Sequence, residues 1–203
     1  MIKAVVLGDG GHAKVVREIL QVNPEVEVCR YLAAGEDDLL PSLIKDGVTH
    51  ALIAVGSTSS TAARQALFDR VTALGLEMLT ATHPSAVISP SASIGAGTAI
   101  MAGVIVNAAA RIGANVILNT AAIVEHDVIV GDHCHIAPGA IIGGGVTIGA
   151  GSHVGIGAVV RQGQRIGSHA VIGAGAVVVS DVPDGETVVG VPARPRSQTT
   201  RRA

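Results

Sequence analysis

Aromatic side chains are almost missing from this chain: 203 residues include one tyrosine, one phenylalanine and no tryptophan. Tyr31 and Phe68 alone cannot form a platform for stacking bases or an aromatic anchor for a protein partner. A basic excess is missing too. Lys and Arg number 14 against 16 Asp and Glu, a formal net charge of −2, so no basic face is offered to nucleic acid. No apolar run approaches the roughly 18 residues of a membrane span. Residues 1 to 7 are apolar but too few for the core of a secretion signal. Cysteine is scarce, with only Cys29 and Cys134, which rules out a disulfide framework. The expectation is a cytoplasmic, reduced protein with neither nucleic acid nor membrane as partner, long enough for one large or two small domains.

What the chain has in abundance is glycine, 26 residues, and aliphatic side chains arranged with a period. Stepping by six from Ile88 gives Ile94, Ile100, Val106, Ile112, Leu118, Val124, Val130, Ile136, Ile142, Ile148, Val154, Val160, Ile166, Ile172 and Val178, without interruption. The next position is Gly in half of the hexads, among them Gly95, Gly113, Gly131 and Gly149. The position four after the aliphatic residue is mostly small, as in Ala110, Ala122, Cys134, Ala140 and Ser152. No helix or simple hairpin has a period of six. An aliphatic knob with a small residue at fixed offset stacks in register, and glycine suits the bends between short strands. The run resembles the hexapeptide repeat of left-handed parallel β-helix proteins, most of them acyltransferases. The resemblance implies three hexads per triangular coil, about five to six coils over residues 83–190, and residues eighteen apart lying above one another.

Residues 1–80 follow another rule. "KAVVLG" reads as a buried strand, followed by a turn and a helix with Val15, Val16, Ile19 and Leu20 on one side. "EVEVCRYL" and "THALIAVGS" read as further strands, "DDLLPSLIKDG" and "STAARQALFDRVTALG" as helices, and "LEMLTAT" as a last strand. Alternating elements imply a small parallel sheet with helices on its faces. The turn Gly8-Asp9-Gly10-Gly11-His12-Ala13 fits G-x-G-x-x-A, which sets backbone N–H groups and a helix N-terminus where a diphosphate can sit. A dinucleotide site wants an acid about twenty residues on; here the second strand runs into Ala33-Ala34, and the domain is about half the usual size, which argues against NAD.

Taken together, "GDGGHAKVV", "HPSAVISPSASIG", "VEHD", "HIAPGA" and "GVPA" resemble the bacterial sugar acetyltransferases. That group includes UDP-4-amino-sugar (bacillosamine-pathway) and perosamine N-acetyltransferases and sialic acid O-acetyltransferases. The resemblance implies a Rossmann-like domain over 1–80 that binds a nucleotide-sugar, a β-helix acetyltransferase domain over 83–190 that binds acetyl-CoA, a tail over 191–203, and a homotrimer. It implies His126 as general base with Asp127 raising its basicity. It implies His135, Gly144, Ile156 and Ala174 along acetyl-CoA, and Gly10, Gly11, His12, Ala33, Ala34 and Gly56 around the nucleotide-sugar. No metal is implied. The group commonly has two acids where Ala33-Ala34 stand and Asn or Asp after Gly56, where this chain has Ser57-Thr58. UDP is the first choice of nucleotide, and Ala33-Ala34 leaves GDP and dTDP open.

In the repeat frame Glu125 and His126 follow the inward Val124 and lie at a bend, and His133 and His135 are also off the inward positions. Stability does not need this cluster. An imidazole with its ordinary pKa near 6.5 can take the proton that an amine or hydroxyl loses as it attacks a thioester. Cys134 takes the small inward slot, where a thiol is inert, so direct transfer is favoured over an acyl-enzyme. His135 and His153, eighteen apart, are expected to stack. His133 and His169 read as surface residues, His50 and His83 as structural. The arginines of "RPRSQTTRRA" suggest a frayed end or a contact with CoA phosphates. Rival readings are O-acetylation of sialic acid or another sugar, a zinc carbonic anhydrase of the β-helix type using His133 and His135, and a non-catalytic scaffold.

Overall fold

The computed structural model describes residues 1–57 and 60–196, so Thr58 and the tail from residue 197 lie outside the described residues. The front of the chain alternates as expected: β1 (Ile2–Leu7), α1 (Gly11–Gln21), β2 (Val26–Leu32), a 3-10 turn (Asp37–Leu39) leading into α2 (Leu40–Lys45), β3 (His50–Ile53), α3 (Ala62–Ala73) and β4 (Glu77–Met78). The strands pair in parallel in the order β2-β1-β3-β4. From Ala4 to Leu7 β1 is apolar because both of its faces are covered there. Ala4 and Val6 pack with α1, and Val5 and Leu7 pack with Leu40 and Val71 of the opposite layer. The chain leaves β1 toward β2 on one side and returns past it to β3 on the other, which opens a crevice beyond the C-terminal ends of β1 and β3.

Two details differ from the sequence expectation. Val15 is exposed, and Ala13 joins Val16, Ile19 and Leu20 in the buried stripe of α1. At 100° per residue Val15 falls at the stripe's edge. "LEMLTAT" is also not one strand: Glu77–Met78 extends the N-terminal sheet, whereas Ala81–Thr82 pairs with Ala99–Ile100. Once that pairing begins, the β-helix rule has taken over.

From Ala81 the chain winds into a parallel β-helix of two-residue strands on three faces. Residues eighteen apart pair, as in Ile117 with His135 and His135 with His153, so three hexads make one coil. From Ile100 to Val178 every inward aliphatic side chain of the frame is buried. Burial of a side chain of this size stabilises by about 1.5–3 kcal/mol, and the sum holds up strands too short to persist alone.

The hexad glycines play a different part from the one the sequence suggested. The tight bend is made three positions after the inward residue, where φ is positive from Gly97 through Asp127 and Gly145 to Gly175 at every sixth residue. The glycine one position after the inward residue serves close approach: a Cβ on Gly131 would lie 2.7 Å from the backbone nitrogen of Ala150 in the next coil. Bends therefore tolerate Asp127 (φ 60) and His133 (φ 61), because a short polar residue can adopt the left-handed region.

The three outer faces are chemically distinct. The face carrying Ala99, Ile117, His135 and His153 is buried although these side chains point outward from the coil, because the N-terminal unit packs on it. A second face presents Val87, Ile105, Ile123, Ile141, Val159 and Val177, all aliphatic. The third presents Ser93, Arg111, Ile129, Thr147 and Arg165.

Candidate functional site

The expected nucleotide residues meet in one cavity. Gly10, Gly11, His12, Ala33, Ala34 and Gly56 all line a space of about 640 Å3 beyond the ends of β1, β2 and β3. Gly8 (φ 130) is what lets β1 end there, since a Cβ would lie 2.6 Å from the carbonyl oxygen of Ala54. Gly10 caps α1 and Gly11 begins it, and a Cβ on either would meet nothing within 4 Å. That leaves the amide end of α1, with no acid in its first turn, open to an anion. The Nε2 of His12 is buried and has no hydrogen-bond partner among the described residues, and burial, helped by the charge of Arg64, lowers its pKa to about 4. It is a neutral ring at the cavity wall. Asp37 also lines the cavity; no motif marked it, because it enters from the 3-10 turn and is held by Arg70 of α3.

A second recess, more open and of about 660 Å3, lies at one corner of the β-helix and is lined by Glu125, His126, Gly143, Gly144, Arg161 and Gln162. His126 and Asp127 form the bend after the Ile123–Val124 strand. The left-handed conformation of Asp127 turns its carboxylate back, and its Oδ2 lies 2.8 Å from His126 Nδ1. Nδ1 therefore carries the proton toward Asp127, and Nε2 keeps its lone pair. The hydrogen bond to Asp127 raises the pKa of His126, and the charges of Asp127 and Glu125 add to the effect. Gly144, one coil on, faces the ring: a Cβ there would lie 2.6 Å from Nε2. Arg161 and Gln162 were not expected here; they stand two coils above Glu125 and His126, in the same columns, a relation visible only once eighteen residues are known to make a coil.

His135 lies elsewhere, on the face beneath the N-terminal unit. It is 6 % exposed. Its Nδ1–H donates to the carbonyl of Ser57 at 2.7 Å, and its Nε2 accepts from Asn119 Nδ2 at 3.1 Å. Asn119 cannot be turned over, because its Oδ1 accepts the backbone N–H of Thr120 at 2.8 Å. Burial, the neighbouring His153, and then His12 and Arg64 lower the pKa of His135 to about 3, despite the Ser57 carbonyl. His153 stacks edge-on at 4.9 Å between centroids, as the eighteen-residue spacing predicts. Ile156 and Ala174 lie one coil apart on the exposed corner adjoining this face, next in order after the His153–Val154 and Val171–Ile172 strands. One chain thus gathers His126, Asp127 and Gly144 at one corner, and His135, Ile156 and Ala174 on and beside another face.

The remaining histidines sort clearly. His169 is exposed, whereas His133, expected at the surface, is half-buried: its Nδ1 accepts from Asn115, and Phe68 packs edge-on against it. His133 sits in a bend and His135 in a two-residue strand, so they do not share a face as alternation along a longer strand would require. His50 pairs with Glu77, and Nδ1 of His83 accepts from Ser85. The Cys134 thiol donates to the Gly149 carbonyl, and burial pushes its pKa up to about 12, so it is no nucleophile.

The family model of the bacterial transferase hexapeptide (six repeats) matches residues 109–144. UDP-N-acetylbacillosamine N-acetyltransferase of Bacillus subtilis is 39 % identical over 125 residues, 50 % of this chain and 52 % of that protein; the match spans about half of that curated relative. Among solved structures, a variant of perosamine N-acetyltransferase from Caulobacter crescentus in complex with CoA and GDP-perosamine is 38 % identical. The match covers 96 % of both chains, with a TM-score of 0.87. The acetyltransferase domain of PglB from Neisseria gonorrhoeae in complex with acetyl coenzyme A is also 38 % identical over 96 % of this chain and 98 % of its own, with a TM-score of 0.85.

Proposed function

The chain belongs to the bacterial sugar acetyltransferase group of the hexapeptide-repeat acyltransferases, and from that premise we propose that it transfers the acetyl group of acetyl-CoA to the amine of a nucleotide-linked 4-amino sugar. The observation that carries this reading is the His126–Asp127 pair, with Nε2 unengaged and facing an open recess. The amine attacks the thioester carbonyl, an N–C bond forms and the C–S bond breaks. His126 Nε2 takes the proton that the amine loses and returns it to the departing CoA thiolate. A base so placed contributes on the order of 10² to 10⁴-fold. Asp127 holds the ring by Nδ1, the logic of a histidine oriented through its other nitrogen. His135, neutral and bonded at both nitrogens, is a wall of the acyl site and not its base.

The cavity around Gly10, Gly11 and His12 receives the diphosphate at the start of α1. UDP is the first candidate nucleotide, in keeping with the Bacillus subtilis relative, and the Caulobacter crescentus relative makes GDP the next.

The two corners meet if the protein is a homotrimer. The aliphatic face, with Val87 63 % and Ile141 40 % exposed, lies between the His126 corner and the Ile156 corner. Three copies packed by that face around a threefold axis bring the His126 corner of one against the Ile156 corner of the next, closing the ring. Acetyl-CoA then lies between subunits, along Gly144 from one side and Ile156 and Ala174 from the other. Two measurements test the proposal. CoA release is followed against UDP-, GDP- and dTDP-linked 4-amino sugars and free sialic acid; turnover of sialic acid alone overturns the acceptor assignment. Light scattering at micromolar concentration reads the mass, and a monomer overturns the trimer.

A further inference from the structure

Arg64, the third residue of α3, is 1 % exposed, and among the described residues no carboxylate pairs with it. Its Nη1 donates to the carbonyls of Ile53 and Val55, each at 2.8 Å. Its Nη2 donates to the carbonyl and side-chain oxygens of Asn115, at 3.2 and 2.5 Å. Asn115, itself wholly buried at a β-helix bend, returns a hydrogen bond from Nδ2 to the Arg64 carbonyl. The guanidinium therefore ties three segments together: the chain leaving β3, the start of α3 and a corner of the β-helix. Burying an uncompensated cation costs several kcal/mol before its hydrogen bonds are counted, so its presence calls for a use beyond filling space.

The segment it holds has two ends. Val55 and Gly56 line the nucleotide cavity, where Gly56 backs His12 so closely that a Cβ would lie 3.4 Å from the His12 Cβ. Ser57, the next residue, takes the Nδ1 proton of His135 on its carbonyl. Resting on the reading of those two sites above, we propose that Arg64 is a positioning residue that fixes residues 53–57 against the Asn115 corner and so sets the cavity wall and the tautomer of His135 together. Lysine does not replace it: an ammonium is a point donor and cannot bond four oxygens in the fork that a guanidinium presents. Burial is the main reason both rings are neutral, and the Arg64 charge adds to the lowering of the His12 and His135 pKa values.

The test is Arg64→Lys in the full chain. The imidazole nitrogens of His135, assigned by comparison with His135→Asn, are read by 15N NMR without any substrate. The wild type should show one neutral tautomer with the proton on Nδ1, and Arg64→Lys should show that signal weakened or averaged. In kinetics, kcat should fall about 10- to 100-fold and KM for the nucleotide-sugar should rise about tenfold, with KM for acetyl-CoA within about twofold. A folded Arg64→Lys protein with the wild-type His135 signal and kinetics overturns the proposal. So does a uniform loss in which both KM values stand still and the His135 signal is unchanged, the mark of a merely structural rivet. If Arg64→Lys does not fold, Asn115→Gly takes its place, since glycine accepts φ 53 and the side-chain bonds to Arg64 are lost along with the one to His133. It should shift the His135 signal in the same direction, and an unchanged signal overturns the tie. Should the wild type acetylate no nucleotide-linked amino sugar, the functional reading fails while the NMR result still decides the role of Arg64.

Discussion

Gly144→Ala separates the chemistry of His126 from the stability of the coil that carries it. The backbone at Gly144 is one that alanine adopts, so the substitution acts through its methyl alone. That carbon would lie 2.6 Å from Nε2 and 2.7 Å from Cε1 of His126, where contact distances are about 3.5 Å. The ring must retreat by about 1 Å. It can do so cheaply, because the His126 side chain is 63 % exposed, and stability should change by less than about 0.5 kcal/mol. The position of the base cannot move so freely. A misplacement of about 1 Å costs about 10²-fold, which corresponds to about 2.7 kcal/mol in the barrier. Gly131→Ala is the contrast: its Cβ would meet the Ala150 nitrogen at 2.7 Å and the Gly149 carbonyl carbon at 3.1 Å, and backbone does not swing aside, so it should lower Tm by overpacking. The assay follows the CoA thiol released, beside thermal melts of each variant. His126→Ala, expected to lower kcat by about 10² to 10⁴-fold with Tm unchanged, completes a double-mutant cycle. If the alanine acts by displacing the base, it should cost nothing more once the base is gone. An equal loss from Gly144→Ala with and without His126 would refute the reasoning and assign the methyl's effect to acetyl-CoA.

Three further outcomes are expected. Asp127→Asn removes the carboxylate that raises the His126 pKa, so the acid limb of the kcat/KM–pH profile should move to lower pH; the plateau should fall by less than in His126→Ala, and an unmoved limb would disconnect the pair. Val124→Asp buries an unpaired carboxylate at a position with no exposure beside the site, and should cost at least about 3 kcal/mol, seen as loss of folded protein by circular dichroism; a stable variant would mean the inward frame is misassigned. His12 and His135 have folded-state pKa values of about 4 and about 3, below the ordinary 6.5, so between those limits the unfolded chain binds protons that the folded one refuses. Stability is then lost as pH falls below about 6.5, by about 2 kcal/mol at pH 5 from His135 alone. Urea unfolding at pH 7 and pH 5 measures this, and equal stability at both would contradict the burial of neutral rings.

The inward column from Ile88 to Val178 was legible without coordinates because a solenoid repeats one local environment: each aliphatic residue meets the same neighbours a coil above and below, so the pattern along the chain is the pattern in space. The cavity beyond the end of β1 was legible for a similar reason, since Gly8 to His12 form one continuous turn whose geometry is local. The role of the hexad glycines was not legible. Whether a glycine answers to positive φ or to close approach depends on the backbone eighteen residues away, as at Gly131 against Ala150. The tautomer and neutrality of His135 were hidden as well, because they are set by Ser57, which is 78 residues distant, and by a face that looks solvent-exposed until the N-terminal unit covers it. Nothing in the sequence marked Arg64, which is buried where α3 meets the Asn115 corner. The sequence by itself determined the coil, its inward face, and the polar bend bearing His126 and Asp127, since all of these follow from interactions with a fixed short period. Tertiary structure decided which outward residues are covered, which glycines touch backbone, and which site residues share a corner, because desolvation and steric contact belong to surfaces that meet only after the chain has folded.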